Sequence, residues 1–383
     1  VTGARREPLW ASTPALGGVC LVVAAGMVLF HLRPEDGPGP WSGDAQFFFR
    51  MAAEWPFRPG GWWQYRILAP FIVHVLPLGT NLGYALLAAL SIGGAGAALV
   101  SLLRHLGYGP GARALGAVLY LSSFAVLYNS WNYAMPDPLA LLLLTLACRA
   151  MVRGRDAELA VWLLLGALGK EVVLYVLPAR WLWGRRSGLD LREALRTGLV
   201  ALPAAAAFLY LRLQPGEATE LIGFVSGDAW LYPWKHQPEN VSRLYSPFAA
   251  GWVLAILSFR RPDRYGIAAL GFAVPCLLSL LMTDAGRMLA YLTPFAVPAM
   301  LRGAGAGATV SRRSAAALLL AALSMRLWEP FALFWKVPIL LRRTLALLLA
   351  PVCAVLAFRR PRDSASSGSR PEPAKRNAGG TSP

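Results

Sequence analysis

The sequence predicts an all-α integral membrane protein, a polytopic helical bundle of about twelve hydrophobic passes, some of them short or re-entrant. Three observations carry this. Of 383 residues, 56% are hydrophobic and only 15% charged. The apolar runs repeatedly approach the length of a bilayer crossing. Lys and Arg fall in short clusters between those runs, as residues retained on the cytoplasmic side do. The net charge of +17 therefore reads as topology, since a nucleic-acid surface would gather it on one soluble basic face.

The clusters set the order of elements. Arg5/Arg6, Arg104/Arg113, Arg149/Arg153/Arg155, Arg185/Arg186/Arg192, Arg260/Arg261/Arg264, Arg302/Arg312/Arg313 and Arg359/Arg360/Arg362 are assigned to the cytoplasm. Between them lie apolar runs at 14–32, 80–103, 112–128, 137–152, 157–169, 172–183, 194–212, 246–259, 265–282, 288–301, 314–329 and 339–358. The first run, preceded by Arg5 and Arg6, reads as a retained anchor. The expected location is the cell (inner) membrane, multi-pass, with both termini cytoplasmic. Residues 1–360 form the membrane-embedded domain, and 361–383, rich in Ser, Gly, Pro, Arg and Lys, a disordered basic cytoplasmic tail.

The connections are informative. Residues 33–79 and 213–245 form long outer loops whose Trp and Tyr suit the headgroup level, Trp62, Trp63 and Trp230 among them. Within the first outer loop, YRILAPFIVHVLP at 65–77 is apolar but short and bounded by Pro, which marks an interfacial or re-entrant helix rather than a span. Arg155 and Arg185 leave too few residues for two ordinary spans, which need about 40. The hairpin around Gly169-Lys170-Glu171 must be short, kinked or re-entrant, and backbone broken at that depth lines a polar cavity or is buried in protein. GAGAGA at 303–308 reads as a cytoplasmic linker. Cys20, Cys148, Cys276 and Cys353 stand singly in apolar runs, as structural thiols without ligand spacing.

Ionisable residues near a membrane interior are expensive unless they pair or face a wet cavity. Here Asp44, Glu54, Arg66, Asp137, Lys170, Glu171, the i, i+3 pair Asp284/Arg287, and Glu329 with Lys336 all sit at the non-cytoplasmic ends of their segments. That one-sidedness predicts a site facing the outer leaflet. Asp44 is followed by Phe47, Phe48 and Phe49, which bury its surroundings, and Asp137 follows Pro136 and opens a helix.

In order along the chain, the acidic Asp44 in the first outer loop, Tyr65-Arg66-Ile67-Leu68-Ala69-Pro70, Pro136-Asp137-Pro138-Leu139-Ala140-Leu141-Leu142, Gly169-Lys170-Glu171 in a hairpin of short helices, and Arg287 near Tyr291 and Pro294 resemble the GT-C superfamily. The resemblance covers roughly residues 14–300. It implies a polytopic membrane glycosyltransferase, of the mannosyltransferase or arabinose-transferase kind, that uses a polyprenyl-phosphate-linked sugar donor. A lipid, glycan or protein would be the acceptor, with membrane lipids as surroundings and no nucleic acid. Many members carry two adjacent acidic residues in the first loop; here Ala45 follows Asp44. No cofactor is expected, and ligand spacing does not support a divalent metal.

The residue chemistry fits such a transfer on its own terms. A carboxylate must accept the proton of the attacking hydroxyl, and cations must stabilise the departing phosphate. Asp44 is the expected catalytic base, and Lys170, Glu171, Arg287, Glu54, Arg66 and Asp137 the expected substrate-binding set. The alternative is a polytopic transporter or lipid flippase without glycosyl transfer, which should carry its charges nearer mid-membrane and gates on both sides.

Overall fold

The apolar runs are dominated by Ala and Leu, strong helix formers. In a computed structural model, which describes residues 12–32, 43–56, 65–184, 190–212, 240–260, 262–280, 285–328 and 338–358, the protein is all-α. Seventeen α-helices and one 3-10 segment are present among the described residues. In chain order they are α1 (Thr13–Phe30), α2 (Gly43–Ala53), α3 (Leu68–Val75), α4 (Thr80–His105), α5 (Pro110–Ser122), α6 (Phe124–Trp131), α7 (Asp137–Arg153) and α8 (Asp156–Gly169). The 3-10 segment (Glu171–Tyr175) and α9 (Val176–Gly184) follow, then α10 (Leu191–Arg212), α11 (Asn240–Tyr245), α12 (Gly251–Ser258) and α13 (Arg264–Ser279). The last are α14 (Ala285–Ala290), α15 (Thr293–Gly303), α16 (Arg312–Trp328) and α17 (Ile339–Phe358).

The expected number of passes is corrected by these helices. Among the described residues four helices, α1, α4, α10 and α17, are long and apolar enough to cross a membrane, or up to five if the bent pair α5 and α6 counts as one span, not about twelve. Hydropathy alone concealed the breaks. The run 112–128 is interrupted at Ser123, whose extended backbone and hydroxyl, donating to the Tyr120 carbonyl at 2.7 Å, turn the chain by 45°. The run 246–259 holds only the eight residues of α12, after turns through residue 250. The run 288–301 breaks between α14 and α15, and 172–183 starts as 3-10 helix. α7, α8 and α13 have 17, 14 and 16 residues.

Small residues set the closest approach. α4 lies against α1, and at Gly93 a Cβ would come within 2.6 Å of the Leu21 Cα; at Gly96 it would come within 2.7 Å of the Cys20 Cβ. Backbones that close exclude any side chain between them. Two buried tyrosines tie further elements to α4: Tyr120 donates to the Ile92 carbonyl and Tyr84 to the Phe48 carbonyl, both at 2.6 Å. The second bond seats α2 on the bundle, so the GDAQFFFRMAA stretch is a packed helix rather than plain loop. The 65–77 stretch holds the eight-residue α3. The GAGAGA stretch is also docked, for Gly109 donates its N–H to the Gly307 carbonyl at 2.9 Å.

The charges separate into two poles. α8 is about 21 Å long at 1.5 Å per residue. At its start Asp156 pairs with Arg180 and Arg196, while Glu158 accepts from Arg149 at 2.7 Å. Arg264 donates to the Trp183 carbonyl at 2.5 Å, and Asp263 pairs with Arg302. These contacts gather Arg149, Arg180, Arg196, Arg264 and Arg302 at one end of the bundle. Lys170, immediately after the far end of α8, belongs to the other. The basic tail, Arg5/Arg6, Trp62, Trp63, Trp230, Asp284, Glu329 and Lys336 lie outside the described residues.

The glycine contacts predict a contrast between two substitutions. Gly93→Ala should destabilise the protein by about 1–3 kcal/mol through overpacking against Leu21. Gly26→Ala, in the same helix pair but with nothing within 4 Å, should be neutral or gain up to about 1 kcal/mol of helix propensity. Thermal unfolding of the detergent-solubilised full chain checks both.

Candidate functional site

The second pole collects charged residues from five stretches of sequence. Asp137 is the first residue of α7, preceded by Pro136 and followed by Pro138. Its position in the first turn favours a negative charge through the helix dipole. Three cations or donors converge on this one carboxylate. Lys170 Nζ donates to Oδ1 at 2.9 Å, the Tyr291 hydroxyl donates to the same oxygen at 2.8 Å, and Arg287 Nη2 lies 3.2 Å from Oδ2. The Asp137 side chain is 4% exposed and that of Lys170 7%.

Lys170 reaches this point because the helix breaks there. Its backbone is extended, φ −164° and ψ 126°, between α8 and the 3-10 segment, while its N–H still donates to the Gly166 carbonyl at 2.7 Å. Its ammonium stands 5.1 Å from the Tyr291 ring centre and Arg287 5.6 Å from that of Tyr128, so aromatic faces add to the cations' surroundings. Glu171, the next residue, accepts from Arg66 Nη2 at 2.7 Å. Arg66 is thereby fixed beside Lys170.

Asp44 sits in the first turn of α2 with its side chain 40% exposed, and its Oδ2 is 3.7 Å from Arg287 Nη1. Arg287 thus bridges a buried carboxylate and an exposed one with its two terminal nitrogens. Beside it a narrow cleft is lined by Tyr128, Asn129, Asp137, Arg287 and Tyr291, with apolar Ala125, Leu141 and Ala290. Neither Asp44 nor Lys170 lines that cleft.

Electrostatics follow from this packing. Burial opposes the charge on Asp137, but Arg287 and Lys170 outweigh it and hold the carboxyl well below its usual range. Burial likewise opposes ionisation of Glu171, and Arg66 overcomes it, holding this group down at about 2. For Lys170 burial wins: despite Asp137, desolvation together with the nearby Arg287 and Arg66 brings the ammonium down to about 8. The cluster therefore holds two firmly charged carboxylates and one lysine whose charge is lost in mildly alkaline solution.

Of the expected site residues, Asp44, Arg66, Asp137, Lys170, Glu171 and Arg287 come together. Glu54 does not: it lies just past the far end of α2 from Asp44 and pairs with Arg50 at 3.0 Å, both half exposed. Its spacing from Arg50 on one helix face, i to i+4, is the physical reason. Asp284 lies outside the described residues; Arg287 turns to Asp137 and Asp44. Asp137, expected as one contact among several, is the centre of the group. Tyr291, Tyr128 and Asn129 were missing from the expected set, although Asn129 opens the polar stretch NSWNYAMPD within an otherwise apolar run. Among the described residues no three His, Cys, Asp or Glu groups stand close enough to share a metal ion.

The two aspartates should respond differently to removal of charge. Asp137→Asn leaves Lys170 and Arg287 buried without their carboxylate, so the folded state should lose about 3–5 kcal/mol. Asp44→Asn, at an exposed pair, should cost less than about 1 kcal/mol. Thermal melting in detergent separates them by several degrees, since each kcal/mol shifts Tm by about 1–2 °C in a chain of this size, or shows the buried hub to be unimportant.

Comparison with known protein families, with curated proteins and with solved structures finds no match to this chain, so the chemistry of the site rests on its own residues.

Proposed function

We propose that the protein is a membrane-embedded glycosyltransferase that moves a sugar from a polyprenyl-phosphate donor to a hydroxyl acceptor, with Asp44 as general base. One observation carries this reading: an exposed carboxylate lies 3.7 Å from a guanidinium that is itself anchored on a buried, lysine-bound aspartate. The exposed group can meet an acceptor arriving from solvent. The anchored cations can hold a phosphate.

In the reaction the acceptor oxygen forms a bond to the anomeric carbon as the bond from that carbon to the phosphate oxygen breaks. The phosphate keeps the electron pair, and Asp44 takes the acceptor's proton. Arg287, with forked donors, and Lys170, as a point charge, stabilise the growing negative charge on the leaving group. Asp137 and Tyr291 keep those cations in place. Arg66 and Glu171 neutralise one another beside Lys170, whose ammonium, held on Asp137, adds its positive field to that of Arg287. The four or five long apolar helices supply a setting in which a prenyl chain can approach sideways.

Two measurements test this with purified full-length protein and polyprenyl phosphosugars as donors. Asp44→Asn should slow transfer about 100-fold or more while donor binding stays near wild type. Unchanged transfer would remove Asp44 from the chemistry. Donor affinity should also fall as pH rises from 7 to 9, with its midpoint near 8, because Lys170 is held down to about 8 and gives up its positive charge above that pH. Lys170→Met should bind more weakly at pH 7 and show no step across the same window; a wild-type affinity that is flat from 7 to 9 takes Lys170 out of phosphate binding.

A further inference from the structure

The cleft beside Arg287 contains a polar group that the cluster does not use. Asn129, on α6, is only 4% exposed, and its Oδ1 is sealed from solvent without a hydrogen-bond partner. Neighbouring polar groups are already engaged: Tyr291 donates to Asp137, Ser130 donates to the Leu127 carbonyl at 2.9 Å, and Tyr133 donates to Asn81 at 2.6 Å. A buried amide oxygen left unpaired is unfavourable, and native proteins retain few. The residue that carries it lines the same cleft as Asp137 and Arg287.

The size of the cleft restricts what can meet it. The cavity is about 10 Å³, room for one hydroxyl- or water-sized group rather than a ring. Its occupant would donate a hydrogen bond to Asn129 while the rest of the molecule lies outside, beside Arg287. A sugar whose phosphate rests on Arg287 has such a group.

We propose that Asn129 is a hydroxyl-recognition residue, its side-chain amide accepting a hydrogen bond from one hydroxyl of the transferred sugar. This rests on the glycosyl-transfer reading and adds to it a division of labour: Arg287 and Lys170 hold the phosphate common to all polyprenyl donors, and Asn129 distinguishes the sugar. A site built to bond a hydroxyl discriminates more strongly than an apolar pocket does, because its own buried group is stranded without the right ligand.

The test compares full-length wild type, Asn129→Leu and Asn129→Ser in detergent. The probes are polyprenyl phosphate alone and polyprenyl phosphomannose, phosphoarabinose and phosphoglucose. Asn129→Leu should bind bare polyprenyl phosphate as wild type does, yet bind the preferred phosphosugar about ten-fold or more weakly, with Asn129→Ser in between. If both variants bind the phosphosugars as wild type does, the amide meets only an ordered water and the proposal is overturned. Should Asn129→Leu fail to fold, Asn129→Ser decides: selective loss of the phosphosugar supports the assignment, while parallel loss of all ligands overturns it. Wild-type protein that binds no polyprenyl compound defeats the glycosyl-transfer reading and this one together. Wild-type binding without selective loss in the variants defeats this one alone.

Discussion

An ionised carboxylate at the buried start of a helix must be matched by positive charge brought from elsewhere in the chain, and Asp137 imposes that condition here. Its partners come from the break after α8 and from the short α14, with Tyr291 just beyond. None of these segments would adopt its position from local preference alone. Lys170 must leave the helix to reach Asp137, and Arg287 lies on a helix of six residues that could not persist without tertiary support. Desolvation of each ion is offset only while the whole set is assembled. The charge cluster therefore helps determine where the helices end, as well as standing where they end.

The opposite pole solves a different problem. There several arginines face partly solvated carboxylates, such as Asp263 at 50% exposure, beside one buried pair of Arg180 and Glu193. Arg153 and Arg302 lie in the last turns of α7 and α15, where a positive charge complements the helix dipole. The solvated pairs are weakly stabilising singly. Between the poles the bundle relies on close contact of small residues, as where α4 meets α1 at Gly93 and Gly96. Polar ends and a tightly packed, almost uncharged middle follow from placing costly groups where they can be matched.

Much of this arrangement was legible because charges stand out in an apolar sequence. Asp44, Arg66, Asp137, Lys170, Glu171 and Arg287 could be singled out on solvation grounds, and the short spacing around Gly169 required the broken hairpin that delivers Lys170. The helical runs at 80–103, 194–212 and 339–358 were legible from length and composition. The breaks were not, since a hydropathy average does not register Ser123 adopting extended backbone or the turn at Tyr291. That is why the expected passes outnumbered the helices able to cross a membrane. Tyr128 and Asn129 were hidden by their neutrality, and Tyr291 was noted only as a neighbour of Arg287, for an uncharged polar residue declares itself only through its contacts. Glu54 carried the same charge as Asp44 but a helical neighbour, Arg50, already answered it.

The outward faces of α10 and α17 extend the physical boundary of the molecule beyond its own atoms. Leu191, Leu195, Leu199 and Leu202 are 62–74% exposed along one side of α10, and Leu340, Leu348 and Val355 are 51–76% exposed along α17. Among the described residues no protein lies against these ridges, and in a bilayer the cohesion that keeps each helix upright would include the lateral pressure of acyl chains. Chain length and packing of that medium are then state variables of the fold: a thin or loosely packed micelle would let α10 and α17 tilt away before the charge-bound centre yields.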